Sequence, residues 1–135
     1  MVVSGCSTSP DTVSSIGSSP AVESVQTIKN INGNSIATSS FRVGEMGNFI
    51  IIAVDPDKDI ETLYLKGFAP GNLGSQPTFE SGAIELKPQT KKIESYSLPE
   101  PVEVPSPPGR WRVDIQVEDK KKNMSNVYIL YTIVH

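Results

Sequence analysis

The chain has 135 residues, a length that suits one domain and is too short for two ordinary ones. Twelve Lys and Arg stand against fifteen Asp and Glu, and this net charge of −3 argues against a nucleic-acid partner, which needs clustered cations to meet phosphates. A single Cys excludes an intramolecular disulfide, and no stretch approaches the ~20 apolar residues of a membrane-spanning helix, so a hydrophobic core must hold the fold.

The first motif is Val3-Ser4-Gly5-Cys6, an aliphatic residue, two small ones and the lone Cys. It resembles a bacterial lipobox, the end of a lipoprotein signal peptide. The resemblance implies that Cys6 accepts a diacylglyceryl group, becomes the new N-terminus, and holds the protein to a membrane through its acyl chains. Val3 replaces the commoner Leu. Only Met1, Val2 and Val3 precede Ser4, so this reading implies an upstream start that supplies the charged and apolar regions of a signal. Residues 7–20, Ser-Thr-Ser-Pro-Asp-Thr-Val-Ser-Ser-Ile-Gly-Ser-Ser-Pro, are almost all small or polar and cannot bury enough surface to fold. They read as a flexible tether, residues 1–20 being signal end plus tether and 21–135 the folded domain. The expected location is extracytoplasmic and membrane-anchored. In a Gram-negative cell it is the outer membrane, because Ser7 stands where an Asp commonly signals inner-membrane retention.

From Ala21 onward apolar residues alternate with polar ones between turn signals, which is the period of a strand with one wet face. In chain order the expected strands are residues 22–29, 35–43, 48–55, 60–68, 82–87, 91–98, 110–119 and 125–134. The clearest is 110–119, where Trp111, Val113, Ile115 and Val117 share one face while Arg112, Asp114, Gln116 and Glu118 share the other. Eleven Pro and ten Gly punctuate the series, and no helical stripe interrupts it. Seven to eight short strands of this kind predict an all-β, antiparallel sandwich. The stretch Pro107-Pro108-Gly109-Arg110-Trp111 and its return through Asn126 to Val134 resembles the last hairpin of bacterial immunoglobulin-like domains. Residues 43–65 likewise resemble strand B, turn and strand C of those domains and of cadherin-like repeats. The resemblance implies an immunoglobulin-like sandwich over most of residues 21–135. No Cys-Trp-Cys core accompanies it, which excludes an antibody-type domain.

Three places carry candidate chemistry. Asp55, Asp57 and Asp59 alternate in Asp-Pro-Asp-Lys-Asp, either as ligands for calcium or as plain turn formers. The EF-hand pattern fails, with Ile60 at its sixth position and Lys66 at its twelfth. Trp111 with Tyr64, Tyr96, Tyr128 and Tyr131 reads either as a sugar-stacking platform or, for Trp111, as core. The closing strand is apolar on both faces, Val127, Ile129, Tyr131 and Ile133 alternating with Tyr128, Leu130 and Val134. A half-wet strand should not look like that, so something covers its second face. The face of Tyr128, Leu130 and Val134 is the candidate binding face, with the proline-rich segment 98–109 as the alternative cover. His135 is the only His and ends the chain, Cys6 lies in the tether, and Lys120-Lys121-Lys122 reads as a solvated turn, so no catalytic constellation is evident. The expected function is a non-catalytic cell-envelope module that binds protein or surface polymer without a cofactor. A carbohydrate-binding sandwich, with or without structural calcium, is the alternative.

Overall fold

A computed structural model describes residues 19–71 and 76–135. Cys6 and nearly all of the expected tether lie outside the described residues. Among the described residues there is no helix. Eleven strands follow in order: β1 (Ala21–Ile31), β2 (Asn34–Ala37), β3 (Ser40–Phe41), β4 (Met46–Val54), β5 (Ile60–Phe68), β6 (Phe79–Glu80), β7 (Ile84–Glu85), β8 (Ile93–Tyr96), β9 (Val102–Glu103), β10 (Gly109–Asp119) and β11 (Tyr128–Val134). Seven of them exceed two residues, which agrees with the seven to eight expected from period-two patterning.

They form two sheets. The first runs β8-β4-β1-β2, with β9 also against β4; the second runs β3-β11-β10-β5-β6, with β7 also against β5. Every pairing is antiparallel except that of β11 with β3. Local chemistry explains the joints. Asn32 and Gly33 both take positive φ, the conformation that a two-residue hairpin loop demands, and join β1 to β2. At Gly109, φ is 134°, and a Cβ there would come within 2.6 Å of Pro70, so only glycine lets the chain enter β10.

Alternation then decides what is buried. Trp111, Val113, Ile115 and Val117 of β10 face inward as the pattern predicts, and the last three share a cluster with Ile51, Leu63 and Leu65 from β4 and β5. The apolar residues divide into two clusters. The larger includes Val25, Phe49, Ile51, Leu65, Val113 and Ile115; the smaller consists of Phe41, Val104, Trp111 and Val134. Side-chain amides tie the irregular segments to this frame; that of Gln89 is buried, that of Asn48 partly buried and that of Asn126 exposed. Gln89 accepts from the Ile60 amide and donates to the carbonyls of Asp55, Lys91 and Lys92. Asn48 holds Leu98 through both its N–H and its C=O, and Asn126 holds Val22 in the same two-bond manner, linking the return before β11 to the opposite sheet. Such amides replace missing ladder bonds, and that of Gln89 does so in a low-dielectric interior.

Neighbouring positions on β10 test the strand assignment. Ile115 is fully buried, so Ile115→Ala is expected to cost roughly 2–5 kcal/mol in denaturant unfolding. Period two alone would make Gln116 a silent surface residue, but its side-chain N–H donates to the Ser125 carbonyl at 2.8 Å. Gln116→Ala is therefore expected to cost about 1 kcal/mol, the net value of one such bond. Equal costs at the two positions would contradict this register.

Candidate binding face and acidic turn

β11 leaves its inner and outer rows in different surroundings. The face nominated from sequence, Tyr128, Leu130 and Val134, is the inner one: Val134 is buried in the smaller cluster, while Tyr128 and Leu130 pack against the larger. Val134 is a core residue and Tyr128 and Leu130 are partly buried against the core, a correction that follows from the register of β11 on β10, which pairs Ile115 with Tyr128 and Val113 with Leu130. The outer row carries the exposed apolar surface. Val127, Ile129, Tyr131 and Ile133 are each between 40% and 48% exposed. The proline-rich segment lies elsewhere. Leu98 and Val104 turn into the core, and Val102 and Glu103 pair with Gly47 and Met46 of the other sheet.

The surroundings of that outer row are ordered and polar. Arg112 grips Asp114 through two bonds of 2.8 Å, and its guanidinium lies 4.7 Å from the centre of the Phe68 ring. Arg110 stacks on Tyr131 at 4.0 Å. Tyr64 donates to Glu118, and this bond to a carboxylate holds the phenol above its ordinary pKa. These contacts fix the cations and leave the aliphatic side chains of Ile129 and Ile133 facing water, an arrangement of apolar row and polar flank. The edge of β11 is also open. Its only partner on that side, β3, engages Ile133 and Val134, so no described strand pairs with the edge of residues 128–131.

The aromatic residues do not assemble into a platform. Trp111 and Tyr96 are each 2% exposed, Tyr128 packs on the core, and Tyr131 alone of the group presents an exposed ring. Trp111 is thus a core residue, its indole N–H donating to the Pro107 carbonyl.

Asp55, Asp57 and Asp59 do come together. Each offers a carboxylate oxygen within 4.8 Å of the other two, in the turn between β4 and β5. Asp55 is fully buried and accepts from the amides of Asp57 and Asp59, as a turn former does. Burial, and then the Asp59 carboxyl beside it, push the Asp55 carboxyl up to about 6. Asp59 Oδ1 is buried and accepts no hydrogen bond. Three converging oxygens with one unspent suit a hard cation chemically, and a cation would reverse the mutual repulsion of Asp55 and Asp59. In the neighbouring turn Asp119 caps the amides of Lys121 and Asn123, which places the lysine run in a solvated turn as expected.

Gln89, Asn48 and Asn126 were not evident from sequence, because the bonds that tie them across the fold reach partners 29, 50 and 104 residues away. No local pattern marks such bonds.

No protein-family model matches the chain, and no curated protein matches it. Among solved structures it is similar to a Niemann-Pick type C2 protein from the Japanese carpenter ant, with a TM-score of 0.53 and 10% identity over 88% of this chain and 95% of that one. It is also similar to the PmoD soluble domain of a Methylocystis species, with a TM-score of 0.44 and 10% identity over 85% of this chain and 97% of that one. At such identity the first likeness bears on architecture alone. With the two sheets described above, it shows an immunoglobulin-like β-sandwich.

Proposed function

We propose that the chain is a non-catalytic, extracytoplasmic binding module that engages another protein through the outer row and open edge of β11. The observation that carries this reading is the row of Val127, Ile129, Tyr131 and Ile133, apolar, exposed and set beside a strand edge that no described strand pairs at residues 128–131. An incoming strand would find main-chain donors and acceptors on the edge, while alternate side chains supply apolar contact. A sugar would need stacked rings, and this face offers one. The lone His at position 135 supports a role without catalysis. The lipobox-like Val3-Ser4-Gly5-Cys6 supports a membrane anchor for the same module, with a role at the cell envelope. Calcium at the acidic turn is a second, structural element of the proposal, favoured by the unspent oxygen of Asp59.

Three outcomes follow. A photo-reactive residue placed at Ile129 should crosslink to one discrete protein in the envelope, while the same residue at Lys66, outward on β5, should give none. Crosslinks at neither position, or equally at both, would remove the docking face. If the reading frame upstream of Met1 encodes Lys or Arg followed by about ten apolar residues, protein expressed from that frame should incorporate labelled palmitate, and Cys6→Ala should abolish the label. Incorporation that survives the substitution would exclude Cys6 as the anchor. For the acidic turn, the sign follows from the raised pKa of Asp55: the folded state holds this proton more tightly than the unfolded chain does. Its contribution to stability is therefore full below about pH 4 and is lost as pH rises through about 6. Calcium added above pH 7 should raise the melting temperature of the wild type and leave Asp59→Asn unmoved. No calcium effect on the wild type would mark the turn as a plain acidic loop.

A further inference from the structure

We infer that the space between the two core clusters is a binding site for one aliphatic hydrocarbon chain. Protein interiors are close-packed, with few voids larger than a water molecule. Here an open-sided pocket of about 380 Å3 is lined by residues of both sheets. Its walls are shared by the two clusters: Phe49, Leu65 and Val113 belong to the larger, and Phe41, Trp111 and Val134 to the smaller. The clusters thus fail to merge at the place where the cavity sits.

The walls define the chemistry of the occupant. Thr27 and Asn48 are among the polar residues that line the space, and both are spent within the protein. The Thr27 hydroxyl donates to the Thr38 carbonyl, while Asn48 accepts from the Leu98 and Phe49 amides and donates to the Leu98 carbonyl. The Trp111 N–H is likewise taken by Pro107, so its ring presents carbon. These groups ask nothing of a ligand, and the rest of the wall is dominated by apolar side chains. Water that enters from the open side finds few polar partners, so a hydrocarbon chain displaces it favourably.

Size and access agree. An engineered apolar cavity of about 150 Å3 takes one benzene, which scales to roughly fifteen carbons for the present volume. That is one acyl or alkyl chain, and it falls in the lower part of the usual ligand-pocket range of about 300–1,000 Å3. Two of the exposed large apolar side chains, Phe79 and Val102, line the same cavity. Phe79 lies across Gly67, where a Cβ would overlap its ring, and belongs to the edge of one sheet; Val102 belongs to the other. Their exposure is that of an apolar mouth between the sheet edges. The exposed Glu103 sits beside Val102 in the lining, so a polar head group remains in water while the chain enters.

Trp111 is the only Trp in the chain and lines the cavity, so it reports occupancy directly. Terminally brominated decanol and decanoic acid are titrated against the protein while Trp111 fluorescence is followed. Both should quench it saturably at one molecule per chain, be displaced by unbrominated decanol, and raise the melting temperature. Val113→Phe and Val104→Phe fill the space from opposite sheets and should each weaken quenching at least tenfold. Ile129→Ser, on the outer face, should leave it unchanged, which separates this site from the docking face. The inference is overturned if neither probe quenches saturably, if only the acid does so, or if the filled variants quench like the wild type. Should both filled variants fail to fold, competition by decanol in the wild type decides the question alone.

Discussion

The inward row of β10 is the constraint on which the rest of the structure depends. Trp111, Val113, Ile115 and Val117 stand at every second position, and strand geometry sends all four to one face. Because β10 lies between β5 and β11, its register sets the register of both neighbours. Pairing Ile115 with Leu65 on one side and Tyr128 on the other aligns three apolar rows into one inner face. A slip by one residue would send Arg112, Asp114, Gln116 and Glu118 into the core, where unpaired charges are costly. The same register turns Ile129, Tyr131 and Ile133 outward, so the exposed row of β11 follows from the burial of β10.

Trp111 and Val117 also lie in different clusters, so one strand spans the whole depth of the sandwich. Towards the Val117 end Ile51, Leu63 and Ile115 are fully buried. Towards the Trp111 end the proline-rich segment adds Val104 to the smaller cluster and only the two-residue strand β9 to the sheet. The interlayer cavity lies at that transition. Polar side chains with long-range bonds stabilise the irregular parts at both ends: Gln89 under the acidic turn, and Asn48 beneath Leu98. The two proposed binding regions belong to different surfaces of the second sheet.

Much of this was legible in the sequence, and the reason is local. Residues 110–119 match β10 closely because period two over ten residues has one strand solution, and residues 60–68 match β5 because a run rich in Ile, Leu, Tyr and Phe follows an acidic turn. The excess of apolar residues in 127–134 was also legible, but not which row lies outside, since both are apolar and alternation cannot choose. Pairing with β10 chooses. The two-residue strands β6 and β9 carry no period at all, and the expected strand at 125 starts at Tyr128 because Ser125 and Asn126 are spent on Val117 and Val22. Asp55, Asp57 and Asp59 converge as their spacing in a tight turn suggests. The pocket left no sequence signal, because residues of both sheets line it, and the polar hubs left none because their partners are remote.

Native-state amide hydrogen exchange tests the central claim most directly, since it reads which strands hold the fold together. The amides of Val113, Ile115 and Val117 on β10, with those of Ile51 and Leu63 on β4 and β5, should form the slowest-exchanging group and open only with global unfolding. Amides at the ends of the sandwich, Val102 on β9 and Ile36 on β2, should exchange far faster. Exchange of Ile115 at the rate of Val102 would contradict an account in which the inward row of β10 organises both clusters.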